Sequence, residues 1–179
     1  MNHMRILKAD IIYQKRKLLL SWGAVVAWMI MIFMFSAQPA TSSNQLSLGV
    51  TEAVLNIISS LFDIGTESIP NNSFLGLLNH VVRKFAHGTV YAVLYLLVVN
   101  AFKRSGVKGK KRYIFSFIYC AAYACTDELH QLFVPGRGCR LTDVFIDCMG
   151  AAIGLIINLS ISVVRVGIKK QKTHLAKAK

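Results

Sequence analysis

The sequence predicts an all-α integral membrane protein: a four-transmembrane-helix bundle with an outer amphipathic helix between helices one and two. Three observations lead there. Hydrophobic residues fill 54% of 179 positions, charged ones only 16%, and the mean hydropathy is +0.49, outside the range usual for soluble domains. The apolar residues come in long blocks rather than short alternating or 3.6-period patterns. The 21 lysines and arginines, set against 8 acids, gather in clusters flanking those blocks. That is the pattern of cytoplasmic loops, not the continuous basic face that grips a phosphate backbone, so no nucleic-acid partner is expected.

Four blocks are long enough to cross about 30 Å of hydrocarbon. They run approximately 18–35, 84–102, 113–134 and 144–164. The first follows Lys15, Arg16 and Lys17 as a secretory signal would, but its apolar run exceeds a signal core and no small-x-small site follows directly, so it is read as a retained helix. Seventeen of the 21 basic residues fall in three regions: the basic N-terminus (1–17), the 102–113 connection and the basic tail (165–179). With four helices all three lie on one side, and the positive-inside rule makes that side cytoplasm. The opposite side receives seven of the eight acids, Asp10 being the exception. Cys120, Cys125 and Cys148 fall inside helices and only Cys139 in the outer loop, so no disulfide framework is indicated.

The outer segment 36–83 carries Leu46, Val50, Val54, Ile57, Ile58 and Leu61 at three- and four-residue steps, the period of an amphipathic helix lying at an interface. Asn44 is a candidate N-cap. The helix is expected to end near Gly65, with a turn at Pro70, Asn71 and Asn72. A second apolar patch, Phe74 to Val82, is expected to run into helix two.

The stretch TDELHQLFVPGRGCRLTD, residues 126–143, crowds Asp127, Glu128, His130, Asp143, Arg137 and Arg140 between two apolar segments. Thirteen helical residues from Tyr113 to Cys125 rise about 20 Å, which leaves Asp127 and Glu128 inside the membrane. Asp147 and His87 come to a similar depth. Ionisable groups there are costly and normally turn inward to meet partners. Lys84, His87 and Tyr91 step by three and four on helix two, as do Asp127, His130 and Gln131 on helix three, with Glu128 one position round. Asp143 and Asp147 share a face of helix four with Gly150 and Gly154, which permit close helix approach. Ser36 and Gln38 end helix one at the same level. Four helix ends thus contribute to one polar ring.

FSAQ (35–38), RKFAHGTVY (83–91) and DELHQLFVPGRGCRLTDVFIDCMGAAIG (127–154) together resemble the VanZ-like family, named for a protein of a vancomycin-resistance cluster associated with low-level teicoplanin resistance. The resemblance covers most of the chain. It implies a role in the bacterial cell envelope, a multi-pass location in the cell membrane and lowered susceptibility to teicoplanin-type glycopeptides. Asp147 departs from the pattern, where Asn is expected more often, and adds a negative charge.

Three functions are weighed. In the first, Arg83, Lys84, Arg137 and Arg140 hold the phosphate or carboxylate of an anionic lipid or lipid-linked cell-wall precursor, PGRG lets backbone N–H groups approach it, and Gln38, Tyr91, Gln131, Asp143 and Asp147 complete an outward-facing pocket. In the second, a membrane-embedded hydrolase or transferase uses His87 or His130 with Asp127 or Glu128 as acid/base groups, or a cation held by the acids. No HExxH or nucleophile elbow is present, and no residue is assigned to a metal or cofactor. A transporter would need a path through the lower half of the bundle, where helices two to four carry no ionisable group. Against all three stands a scaffold in which Arg83, Lys84, Arg137 and Arg140 merely neutralise Asp127, Glu128, Asp143 and Asp147.

Overall fold

The computed structural model describes residues 2–62 and 72–177, with side chains described over 10–61 and 74–169 and at 171. It contains five α-helices and, among these residues, no strand: α1 Asn2–Ser36, α2 Ala40–Phe62, α3 Asn72–Arg104, α4 Lys110–Gln131 and α5 Leu141–Lys177. Three stretches are long and apolar enough to cross a membrane: Asp10–Ser36 in α1, Phe74–Arg104 in α3 and Leu141–Lys169 in α5. The fourth expected crossing, α4, falls short in composition, since Lys110, Lys111 and Arg112 open it and Asp127 and Glu128 lie near its end.

Several boundaries differ from the hydropathy reading because helices continue past their apolar blocks. The basic residues ahead of the first block are good helix formers, so α1 incorporates them, and α5 likewise runs on to Lys177. The 74–82 patch is the first part of α3, so it runs into the second apolar block as expected. Conversely α4 stops at Gln131. Pro135 biases the residue before it away from helical backbone, and the chain turns with Phe133 N–H donating to His130 O and Val134 N–H to Gln131 O. The expected N-cap at Asn44 is a correction: α2 begins four residues earlier. Pro39 supplies that start, its carbonyl accepting from Ser43 N–H at 3.0 Å, in keeping with the preference for Pro at helix N-termini. Asn44 instead uses its side-chain oxygen to accept from Asn79 Nδ2 at 2.7 Å, tying α2 to α3. The expected helix end near Gly65 and the turn at Pro70 and Asn71 lie outside the described residues.

The long third helix is the centre of the bundle, packing on α1, α2, α4 and α5. Its Tyr91, Leu94, Tyr95, Val98 and Val99 form the core with Val25 and Ile32 of α1, Cys120 and Ala124 of α4 and Ala151 of α5. Tyrosine and tryptophan ends find acceptors there: Trp28 Nε1–H donates to Val90 O at 2.9 Å and Tyr123 OH to Met29 O at 2.6 Å. Helices α3 and α5 meet backbone to backbone. A methyl group added at Gly150 would overlap the Gly88 carbonyl, and one added at Gly154 would lie 2.6 Å from Ala92 O. The outer surfaces of α1 and α5 expose Leu19, Leu20, Ile30, Met34, Phe145, Ile153, Ile156 and Val163, an arrangement that water penalises and lipid accepts.

Candidate functional site: an arginine-lined cleft over buried carboxylates

The end of α1, the start of α2, the first half of α3, the end of α4 and the start of α5 converge on the 132–140 loop. Two anchors hold that loop. The Ala40 N–H donates to Pro135 O at 3.3 Å, and the Arg140 N–H donates to Glu128 Oε2 at 2.9 Å. Gly136 sits at φ 74° against Ala40, with only 3.1 Å between the place of its missing Cβ and the Ala40 Cβ. A larger residue there would be strained both by the backbone angle and by the contact.

The loop closes one side of an open cleft lined by Ala40, Arg83, His87, Gln131, Gly136, Arg137, Gly138, Arg140 and Asp143. Of the residues singled out in the sequence, Arg83, His87, Gln131, Arg137, Arg140 and Asp143 thus line one space. Lys84 sits beside it and pairs with Asp143. Ala40, Gly136 and Gly138 complete the wall. Gly136, Gly138 and Arg140 were legible in the PGRGCR run, whereas nothing in sequence ties Ala40 to a loop about a hundred residues away.

Beneath the cleft lies a buried polar layer. Gln131 Nε2 donates to Ser36 Oγ at 2.9 Å and to Asp127 Oδ2 at 3.4 Å. Asp147, with no exposed surface, places Oδ1 3.6 Å from His87 Nδ1. Tyr91 is fully buried and within electrostatic reach of Asp127 and Asp147. Asp127 Oδ1, Glu128 Oε1, both Asp147 oxygens and the Tyr91 hydroxyl have no hydrogen-bond partner, a costly condition for buried polar atoms. Gln38 is half-buried at the α1–α2 turn, where its N–H donates to Phe35 O at 3.4 Å, and does not line the cleft. His130 is turned away as well, its ring 4.4 Å from that of Phe33. Of the two histidines weighed, His87 is the one that faces the cleft.

The general neutralisation of acids by arginines, expected of a scaffold, does not form. Among the described residues the ion pairs are Lys84–Asp143 and the His87–Asp147 approach. Arg83, Arg137 and Arg140 make none. Arg137 reaches only a carbonyl, Phe35 O at 3.5 Å, and its pKa is held below the ordinary guanidinium value by burial first and by the like charge of Arg83 second. Asp127, Glu128 and Asp143 act in the opposite direction but do not outweigh these two effects. Also among the described residues, no group of three or more His, Cys, Asp or Glu is arranged to hold a metal ion.

No curated protein and no solved structure matches the chain. The VanZ/LLP1 family model matches residues 21–162, from the second turn of the apolar part of α1 to the end of the apolar part of α5 and across every residue of the cleft. The resemblance carried by FSAQ, RKFAHGTVY and the 127–154 block is thereby a family relationship, and the chain belongs to the VanZ/LLP1 family.

Proposed function

We propose that this membrane protein binds or remodels an anionic lipid-linked envelope component in the arginine-lined cleft. The observation that carries the reading is the set of three guanidiniums, Arg83, Arg137 and Arg140, lining one open space with no carboxylate partner among the described residues. Planar guanidinium forks match phosphate and carboxylate oxygens bidentately. Under this reading α4 is a fourth crossing despite its polar ends, because α1, α3 and α5 enclose much of it and its acids turn inward. Four crossings put both termini and the 105–109 turn in the cytoplasm and the cleft outside, in keeping with the lysine and arginine bias. Helix α2 then lies at the outer interface, with Leu46, Val50, Ile57 and Leu61 toward lipid.

Family membership adds the expectation that expression lowers susceptibility to teicoplanin more than to vancomycin. Inhibitory concentrations measured in a host shown to insert the protein test this, and unchanged values would remove the drug phenotype. A second reading, acid/base chemistry on the bound lipid, is favoured by one observation: His87 lines the cleft and is backed by the buried Asp147. Asp127→Asn should then abolish function in protein that still inserts and melts normally. Loss of function only with loss of thermostability would favour a scaffold.

A further inference from the structure

We propose that the cleft is a phosphoryl-transfer site for a lipid diphosphate, with His87 Nε2 as nucleophile and Asp147 as the residue that positions it. This rests on the anion-binding reading above. The Asp147 carboxylate is fully buried, and its Oδ1 faces His87 Nδ1 at 3.6 Å. A carboxylate behind one ring nitrogen fixes the proton there and leaves the lone pair on the other, and such contacts are often long before substrate is bound. Nε2 is thus the atom left for the cleft. Among the described residues no hydroxyl or thiol side chain lines that space, and the one carboxylate that does, Asp143, is held by Lys84.

Charge and leaving group select the substrate class. Three guanidiniums with no ion pair among the described residues suit an anion of more than the roughly −1.5 to −2 that a single phosphate monoester carries. An alkoxide leaving from a monoester would need a proton donor, whereas a phosphate leaving from a diphosphate is stabilised by the arginines alone. Apolar surface on and beside the loop that carries Arg137 and Arg140 suits a hydrocarbon tail: Phe133, in the same loop as Arg137, is 84% exposed, and Leu141, next to Arg140, is 83% exposed.

The step balances with water alone. The Nε2 lone pair attacks the terminal phosphorus, an N–P bond forms, the P–O bond to the inner phosphate breaks, and its electron pair leaves with the lipid monophosphate. Water then attacks the phosphohistidine, the N–P bond breaks, and its electron pair returns to Nε2 as inorganic phosphate departs with the protons of the water.

The test uses the full chain in detergent with farnesyl diphosphate labelled in its terminal phosphate. Wild type should acquire an acid-labile, base-stable label and release phosphate, while His87→Asn binds the probe yet loses label and lowers release by roughly 100-fold or more. Asp147→Asn, which keeps an oxygen acceptor for the Nδ1–H, should retain labelling that Asp147→Leu loses at matched thermostability. Binding without label or phosphate release would overturn phosphoryl transfer and leave the anion-binding reading intact; no binding at all would overturn both. Phosphate release without a protein label would overturn the nucleophile, label persisting on His87→Asn would overturn its assignment, and equal turnover of inorganic pyrophosphate would overturn the lipid class.

Discussion

At the residue scale the polar groups divide into those that hold the cleft together and those that face into it. Glu128 belongs to the first kind, because one of its oxygens accepts the Arg140 N–H and anchors the loop. Glu128→Gln keeps an acceptor and should leave thermostability nearly unchanged; Glu128→Ala leaves that N–H unpaired and should cost about 1–3 kcal/mol, read by thermal unfolding in detergent. Arg137 belongs to the second kind. It loses no ion pair on removal and escapes both burial and the charge of Arg83, so Arg137→Gln should leave the melting temperature unchanged or slightly raised. The same substitution should weaken binding of an anionic phospholipid roughly 10-fold, the equivalent of about 1.5 kcal/mol for one charged hydrogen bond. The residue types at the site were legible in sequence, since ionisable groups at membrane depth are functional candidates by default. Their pairings were not. Whether Asp143 meets Lys84 or an arginine depends on side-chain directions that spacing along two separate helices leaves open.

At the element scale the third and fifth helices fix the cleft, because His87 and Asp147 sit just beside the glycine contact that joins them. Gly88 and Ala92 face Gly150 and Gly154 at backbone distance. Small residues at such crossings are what allow membrane helices to approach. Gly150→Ala should therefore push α5 from α3, cost about 1–3 kcal/mol as overpacking and part His87 from Asp147. Gly23→Ala, at an α1 position with nothing within 4 Å, should be tolerated and even gain about 1 kcal/mol of helix propensity. Thermostability of the two variants side by side checks the contrast. The role of Gly150 and Gly154 was readable from their spacing. The early start of α2 was not, because Pro39 sits in a polar run where an asparagine seemed the better cap.

At the scale of the whole molecule, charge placement predicts a topology that native cysteines can report. Cys139 is exposed in the loop that borders the cleft, so a membrane-impermeant maleimide should label it in intact cells, and Cys139→Ser should remove that signal. A cysteine placed at Lys108 should react only after permeabilisation; labelling it from outside would invert the bundle and put the cleft in the cytoplasm. The count of crossings was the least legible feature of the fold. Helix α4 has the length of a span, but its basic start and acidic end give it the composition of a helix that needs neighbours to shield it.

The central claim is that Arg83, Arg137 and Arg140 form an anion site for a lipid headgroup, and native mass spectrometry of the protein extracted from its membrane tests it most directly. Wild type should retain a phosphate-bearing lipid, and the triple variant with all three arginines changed to Gln should lose it while melting at the wild-type temperature. A triple variant that keeps the same lipid, or that loses it only together with its fold, would contradict the account.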